Sequence, residues 1–379
     1  MKIFLASLWI QILLAIYILL HVWCALPPQK KWRLPVAGFI ITYLLLLFCG
    51  RFFYEHWNDA VFDLVNAICG VWFIASLYCG MLLVIWDACL VTNFFRPIFP
   101  PWIKTYSPRF KLGLFFSMIA LVVVFLSAGY YNYSHPKVNH QSIHIPKSAG
   151  RMQSIRIAFA TDIHAGYVVN RNQVSKYVDF INAQQCDIII LGGDIIDYDL
   201  YPLNKQEMTR EFQRLQAPLG VYAVMGNHEY RFDAQKKIAW LNQAGITLLK
   251  DSVIMPQYAF YLVGRDDKKS PGRRSLNYLL AGLDKSKPII VASHQPTNIM
   301  ESVMNDVDFE MMGHVHNGQI WPNNIRERWN WDGYSHGYHK RGDTQFYISS
   351  GLGVSGPPFR VFTDSEVVVF EISFQADTH

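Results

Sequence analysis

Along the first third of the chain hydrophobic positions run almost unbroken, at about residues 3–25, 34–53, 60–91 and 112–131. Each run is near or above the roughly 20 residues a helix needs to cross a bilayer core, so the pattern predicts four transmembrane helices. For the first run a cleaved signal peptide is the alternative, with Lys2 as its basic start and a small-residue site near Ala25. Three more spans follow under either reading. Beyond Tyr131 the pattern changes. The polar stretch 132–141 reads as a linker, and 142–146 alternates like an edge strand. From Ile155 onward, short β-branched runs alternate with stretches of helical period. Residues 172–182, 207–215 and 234–244 each gather apolar side chains on one helical face. Residues 288–293, 307–312, 344–350 and 366–373 have strand character. The expected organisation is a transmembrane region over 1–131, a linker and edge strand over 132–153, and a layered α/β or α+β domain over 154–379 with an antiparallel portion near the C-terminus.

Within that domain the organising stretch is Ile188-Ile189-Ile190-Leu191-Gly192-Gly193-Asp194. A buried strand that ends in two glycines turns sharply and delivers one carboxylate, Asp194, at its C-terminal edge. The strand-like run 155–161 delivers Asp162 and His164 in the same way, and 220–226 delivers Asn227, His228 and Glu229. Ligands of α/β sheets bind outside the carboxyl ends of the strands, so these groups point to one site. His294, His314 and His316 follow later strand-like runs. Asp162 and His164, one residue apart, should point the same way from an extended strand end, as should His314 and His316. Imidazole, carboxylate and amide donors without thiolate suit Mn²⁺, Fe²⁺, Zn²⁺ or Co²⁺ better than Mg²⁺ or Ca²⁺. Two divalent ions close together need a bridging ligand with two oxygens, and this set contains such carboxylates.

Composition sharpens the membrane reading. Of 379 residues 51% are hydrophobic, and the net charge is only +5. The first short loop carries Lys30, Lys31 and Arg33, and the third carries Arg96, Lys104, Arg109 and Lys111, whereas the second has Arg51 beside Glu55 and Asp59. Such a bias places loops one and three in the cytoplasm, and hence the soluble half on the outer face of the cytoplasmic membrane. Asp63, Asn66 and Asp87 interrupt the apolar runs, the two carboxylates at expected interfacial, solvated positions. Trp57, Trp72, Trp86 and Trp102 fit aromatic belts or packing. Of six cysteines only Cys186 lies in the soluble half, as core filler, so no disulfide is expected there. The soluble half shows no basic stripe with interleaved aromatics, so a nucleic-acid partner is not expected. Neither a P-loop nor a serine elbow occurs.

Taken together, Asp162-Ile163-His164, Gly193-Asp194-Ile195-Ile196-Asp197, Gly226-Asn227-His228-Glu229, His294 and Gly313-His314-Val315-His316 resemble the D-x-H, G-D-x-x-D, G-N-H-[DE], H and G-H-x-H pattern of the calcineurin-like metallophosphoesterase superfamily. The resemblance covers roughly 154–372. Gly318-Gln319-Ile320 and the 351–360 tail look like its membrane-anchored YkuE-type branch. It implies a layered β-sandwich flanked by helices behind the four-helix transmembrane region. It also implies two divalent metal ions, the first held by Asp162, His164 and His316, the second by Asn227, His294 and His314, with Asp194 bridging. His228 would be the non-ligand that stabilises the transition state or protonates the leaving oxygen, with Asp197 orienting it. The expected function is a membrane-anchored di-metal phosphoesterase that hydrolyses phosphate ester or diphosphate bonds of a lipid or cell-envelope substrate by metal-activated water. The alternative is a non-catalytic membrane sensor or scaffold that binds a phosphorylated ligand. The insert 329–341 departs from the plainer pattern and reads either as a lipid- or substrate-facing lid or as an aromatic-packed loop. Its His336 and His339 are not expected to bind metal.

Overall fold

A computed structural model describes residues 2–52, 59–100 and 107–375. It divides into two compact units, Met1–Ala128 and Gly129–His379. The apolar runs of the first unit form α1 (Lys2–Ala25), α2 (Lys30–Phe52), α3 (Asp59–Phe95) and α4 (Pro108–Ser134), whose last six residues belong to the second unit. Stretches of α2, α3 and α4 are long and apolar enough to cross a membrane, while that of α1, Trp9–Ala25, is shorter. Lys30, Lys31 and Arg33 open α2 and Arg109 and Lys111 open α4, so these cations belong to helix starts rather than loops. Long basic side chains allow this, because their stems lie along apolar surface while the charge stays in water. Buried Gln11 ties three helices together, accepting through Oε1 from Tyr43 Oη at 2.9 Å and Ser76 Oγ at 3.4 Å. Asp87 is not simply solvated as expected. Tyr17 Oη donates to it at 2.6 Å and His21 Nε2 lies 3.0 Å away, joining α1 to α3. Trp72 packs edge-on against Phe39, and Trp86 lies against Phe99 and Phe110. Trp57, Trp102 and Lys104, with the side chains of Arg51 and Asp63, lie outside the described residues.

The second unit continues with β1 (Lys137–Ser148), β2 (Ser154–Ala160), α5 (Arg171–Asn182), β3 (Ile188–Leu191), α6 (Tyr201–Lys205), α7 (Met208–Phe212), β4 (Val221–Ala223), α8 (Ala234–Gln243), β5 (Thr247–Leu248), β6 (Ser252–Ile254), β7 (Tyr261–Gly264), α9 (Leu276–Leu279), β8 (Ile289–Ala292), α10 (Ile299–Met304), β9 (Phe309–Met312), α11 (Asn323–Asn330), β10 (Gly337–Arg341), β11 (Thr344–Ile348) and β12 (Glu366–Gln375). Two mixed six-stranded sheets result, ordered β1-β12-β2-β3-β4-β5 and β10-β11-β9-β8-β7-β6. Period-2 alternation explains the layering. In β2, Ile155, Ile157 and Phe159 enter the core between the sheets with Leu262, Ile290, Phe309 and Phe370, while Ala158 and Ala160 face α5 through Val174, Tyr177 and Ile181. On the far face of the second sheet Val263, Ile289 and Val291 pack against Leu276 and Leu279 of α9. This is a sandwich of two sheets flanked by helices.

The expected antiparallel portion is present in the β12–β2, β10–β11 and β6–β7 pairs. Two expectations need correction. Residues 132–141 are no linker, because they end α4 and begin β1, an edge strand that runs parallel to β12. The helix expected over 207–215 is present but shorter, as α7 starts after left-handed Glu207 and ends at Phe212.

Candidate metal centre

Every candidate side chain follows the C-terminal end of a strand. Asp162 and His164 follow β2, Asp194 and Asp197 follow β3, and Asn227 and His228 follow β4. The second sheet contributes His294 after β8 and His314 and His316 after β9. β2, β3 and β4 are parallel neighbours, as are β8 and β9, so the sandwich brings the two sets of loops together. Close packing of glycine loops makes this possible. A Cβ on Gly226 would stand 2.2 Å from Asp194 Oδ1, and one on Gly193, at φ +89°, would stand 2.8 Å from Gly226 N. The D-x-H and H-x-H pairs converge, but not as extended strand ends. Asp162, His164, His314 and His316 have φ of 55°, 52°, 73° and 53°, with Asp194 at 49°.

Three groups of side chains could each hold a metal ion: Asp162, His164 and His316; Asp194, His294 and His314; and His164, Asp194 and His228. His164 Nε2 and His316 Nε2 are 3.1 Å apart, and His316 Nε2 lies 3.3 Å from Asp162 Oδ1. Two imidazoles bound to one ion at about 2.1 Å each would be separated by roughly this much. On the other side His294 Nε2 lies 3.2 Å from Asp194 Oδ2. The tautomers follow from acceptor-only partners. His294 Nδ1 donates to Gly192 O at 2.9 Å and His164 Nδ1 to Asp197 Oδ1 at 3.1 Å, which leaves each Nε2 lone pair facing the site. Asp162 Oδ1, Asn227 Oδ1 and His294 Nε2 are buried without a hydrogen-bond partner. Orphaned buried acceptors of these types are what a bound cation satisfies, so the donors present fit divalent metal.

Electrostatics agree. Burial opposes charge on His294, yet the Asp194 and Asp162 carboxylates raise its pKa to about 10. Burial and the neighbouring His294 push His314 down to about 3. Asp194 stays well below the usual carboxylate range, where His294, His164 and His228 overcome its burial. Carboxylates that favour positive charge on a buried imidazole would equally favour a divalent cation taking the place of that proton.

His228 is fixed from four directions. Its N–H donates to Asp194 Oδ1 at 2.7 Å, its carbonyl accepts from Lys237 Nζ at 2.7 Å, and its Nδ1 donates to Asp197 O at 2.6 Å with Asp197 Oδ1 at 3.1 Å. Asp197 thus holds both His164 and His228, and burial notwithstanding these two keep its carboxyl at about 2. His336 and His339 lie elsewhere. His336 faces Glu366 at 3.5 Å and His339 faces the His336 carbonyl at 3.1 Å. Within the 329–341 insert Trp331 packs on the cluster of Met312, Phe346 and Ile348 with its ring 5.5 Å from that of His314, while Trp329 is exposed.

Two residues were given no role from sequence. Glu229 is fully buried and accepts from Asp194 N, Ile196 N and Gly226 N at 2.9, 2.9 and 2.7 Å, stapling two of the loops. Arg360 is wholly buried and donates to Ser350 O and Gly353 O, both at 2.7 Å, and to Asp364 O at 3.0 Å, with His316 O at 3.4 Å. Leu352 N and Gly353 N in turn donate to Thr161 O and Asp162 O at 2.8 and 2.9 Å. Arg360 therefore backs both Asp162 and His316. The available signal was that it is the one charged residue between Gly351 and Thr363.

Similarity to known proteins falls on these same loops. Residues 155–318 match the family model of the calcineurin-like phosphoesterases. An uncharacterized metallophosphoesterase of Helicobacter pylori (strain J99) is 28% identical over 270 residues, covering 67% of this chain and 68% of that protein. The uncharacterized metallophosphoesterase YkoQ of Bacillus subtilis is 29% identical over 270 residues, covering 67% and 97%. A transmembrane protein with metallophosphoesterase domain from Danio rerio is 27% identical over 250 residues, covering 61% and 56%. With the donor set intact and the family match lying on the loops that carry it, residues 155–318 form a calcineurin-like phosphoesterase domain, and the chain is a metal-dependent phosphoric ester hydrolase.

Proposed function

We propose a membrane-anchored phosphoesterase that works with two divalent ions on a lipid or cell-envelope phosphate ester or diphosphate. Asp162, His164 and His316 hold one ion, Asn227, His294 and His314 the other, and Asp194 both. The observation that carries this reading is the pair of donor groups on either side of Asp194 together with three unpartnered buried atoms, Asp162 Oδ1, Asn227 Oδ1 and His294 Nε2. Divalent ions supply Lewis-acid polarisation of phosphoryl oxygens and an activated water. His228 keeps its Nδ1 on Asp197 O, which turns Nε2 towards the site; from the doubly protonated ring that Nε2 would give its proton to the leaving oxygen, with Asp197 fixing the ring. Four apolar runs support four membrane spans, and the basic residues at the starts of α2 and α4 support a catalytic unit on the outer face.

The test is metal analysis beside hydrolysis of mono-, di- and pyrophosphate esters, lipids included, by the purified chain with Mn²⁺. Asp194→Asn should release more metal than any other single substitution, and one ion in the wild type, or two retained in that variant, contradicts the reading. For topology, alkaline phosphatase or a cytoplasm-only fluorescent protein is fused after Tyr131. Fluorescence with an inactive phosphatase would reverse the orientation.

A further inference from the structure

Beside His228 stand three exposed side chains that none of the roles above uses. The Tyr198 ring meets the His228 ring edge to face, with centroids 6.0 Å apart at 63°. The Arg231 guanidinium lies over that tyrosine's ring, 5.3 Å from its centroid. Phe232 follows, 74% exposed, with φ +59°. Their backbone is tied to the site, because Arg231 N donates to His228 O at 3.0 Å, the same carbonyl that Lys237 grips. On the far side Asp233 caps α8 by accepting from Lys236 N at 3.1 Å. The segment between these anchors is short and cannot drift far from His228.

One feature is hard to explain as surface structure alone. Among the described residues Arg231 makes no ion pair, and its guanidinium lies over the Tyr198 ring beside His228. An oriented, unpaired guanidinium suits a carboxylate or phosphate, whose oxygens match its fork.

His228 fixes the direction. As proton donor to the leaving oxygen it must sit on the leaving-group side of the phosphorus, so whatever that oxygen carries extends towards Tyr198 and Arg231. We infer that Arg231, stacked on Tyr198 and flanked by Phe232, recognises the leaving group, and that the natural substrate carries a second anionic group there, as a diphosphate or an acidic phosphodiester does and a simple monoester of a neutral alcohol does not. This assignment rests on the proposed role of His228.

The experiment uses the full chain in detergent with Mn²⁺ and aryl phosphates matched in leaving-group acidity, with and without a carboxylate on the ring, together with an alkyl diphosphate. In the wild type kcat/KM should favour the anionic leaving groups. Arg231→Ala should cut that preference by about 10- to 100-fold, mainly through KM, the usual worth of a charged hydrogen bond. Arg231→Lys should restore part of it, and metal content should stay at two ions. An equal fall on both substrate classes, or no preference in the wild type, overturns the assignment. Failure of the two-ion reading is separate, since it would appear as wild-type protein without its metals.

Discussion

Glu229 offers the sharpest test of how the centre is held together. Its carboxylate is wholly buried and accepts three backbone N–H groups, from Asp194 and Gly226 on Oε2 and from Ile196 on Oε1. Glu229→Gln keeps the shape and one acceptor oxygen. That oxygen can still take the Asp194 and Gly226 donors, but the amide nitrogen then faces Ile196 N–H, donor against donor. One buried N–H left unpaired costs about 1–3 kcal/mol, and the two remaining bonds each lose roughly 1 kcal/mol of charge assistance. Burial and the nearby Asp194 charge raise the pKa of Glu229, so a neutral amide relieves some repulsion. The net loss is about 2–4 kcal/mol, or a fall in Tm of roughly 5–15 °C for a unit of this size. Because Asp194 N and Gly226 N hang on the same oxygen, the Asp194 carboxylate should shift and metal should be lost as well. Thermal unfolding by near-UV circular dichroism, run beside metal analysis, measures both. A variant that melts within about 1 °C of wild type with all its metal would refute the reasoning.

Three further outcomes are expected. His228→Ala should keep its metal yet turn over roughly 10²- to 10⁴-fold more slowly, least for esters with good leaving groups, as steady-state kinetics across a leaving-group series would read. Arg360→Lys keeps the charge but loses the fork that joins Ser350 O, Gly353 O and Asp364 O. Metal titration should show affinity weakened about 10- to 100-fold, and unchanged affinity would reduce Arg360 to a packing role. Glu366 is buried, a condition that opposes its charge, but His336, Asn139 and Ser350 N bring its carboxyl down from 4.5 to about 2. Its folded pKa is depressed, so its contribution, about 3 kcal/mol, is present above pH 4.5 and lost as pH falls towards 2. Chemical denaturation should therefore separate wild type from Glu366→Gln at pH 6 and much less at pH 3.

What the sequence reveals and what it hides have physical causes. The 188–191 run is legible because a strand buried on both faces must be continuously apolar, and Gly192-Gly193 marks its end. α5 and α8 are legible because each buries one helical stripe. The first half of β1 is not, because an edge strand bonds on one side only and Asn139 and Gln141 look like linker residues. Asn139 in fact donates to Tyr347 Oη and Glu366 at 2.6 and 3.0 Å. Arg360 acts through backbone carbonyls, and such partners have no sequence signature.

The pairs at 162/164 and 314/316 teach the most, because their convergence was expected for a different reason. In an extended strand residues i and i+2 share a face. Instead Asp162, His164, Asp194, His314 and His316 all have left-handed backbones. At about 1–2 kcal/mol each, the strain approaches the whole stability of an ordinary domain. It persists only because neighbouring loops over-determine it. Asp162 N donates to Gly193 O and His164 N to Asp194 O, at 3.0 and 2.9 Å, while His314 N donates to Asp162 Oδ2 at 2.8 Å. Asp162, His164, Asp194 and His314 are thus each tied to a loop that carries another donor, while Arg360 backs His316. Ile163 and Val315, the residues between, are buried away from solvent, which keeps the turns from relaxing. With the backbone fixed in this way, the spacing in D-x-H and H-x-H records two tight turns locked against each other rather than two strand ends.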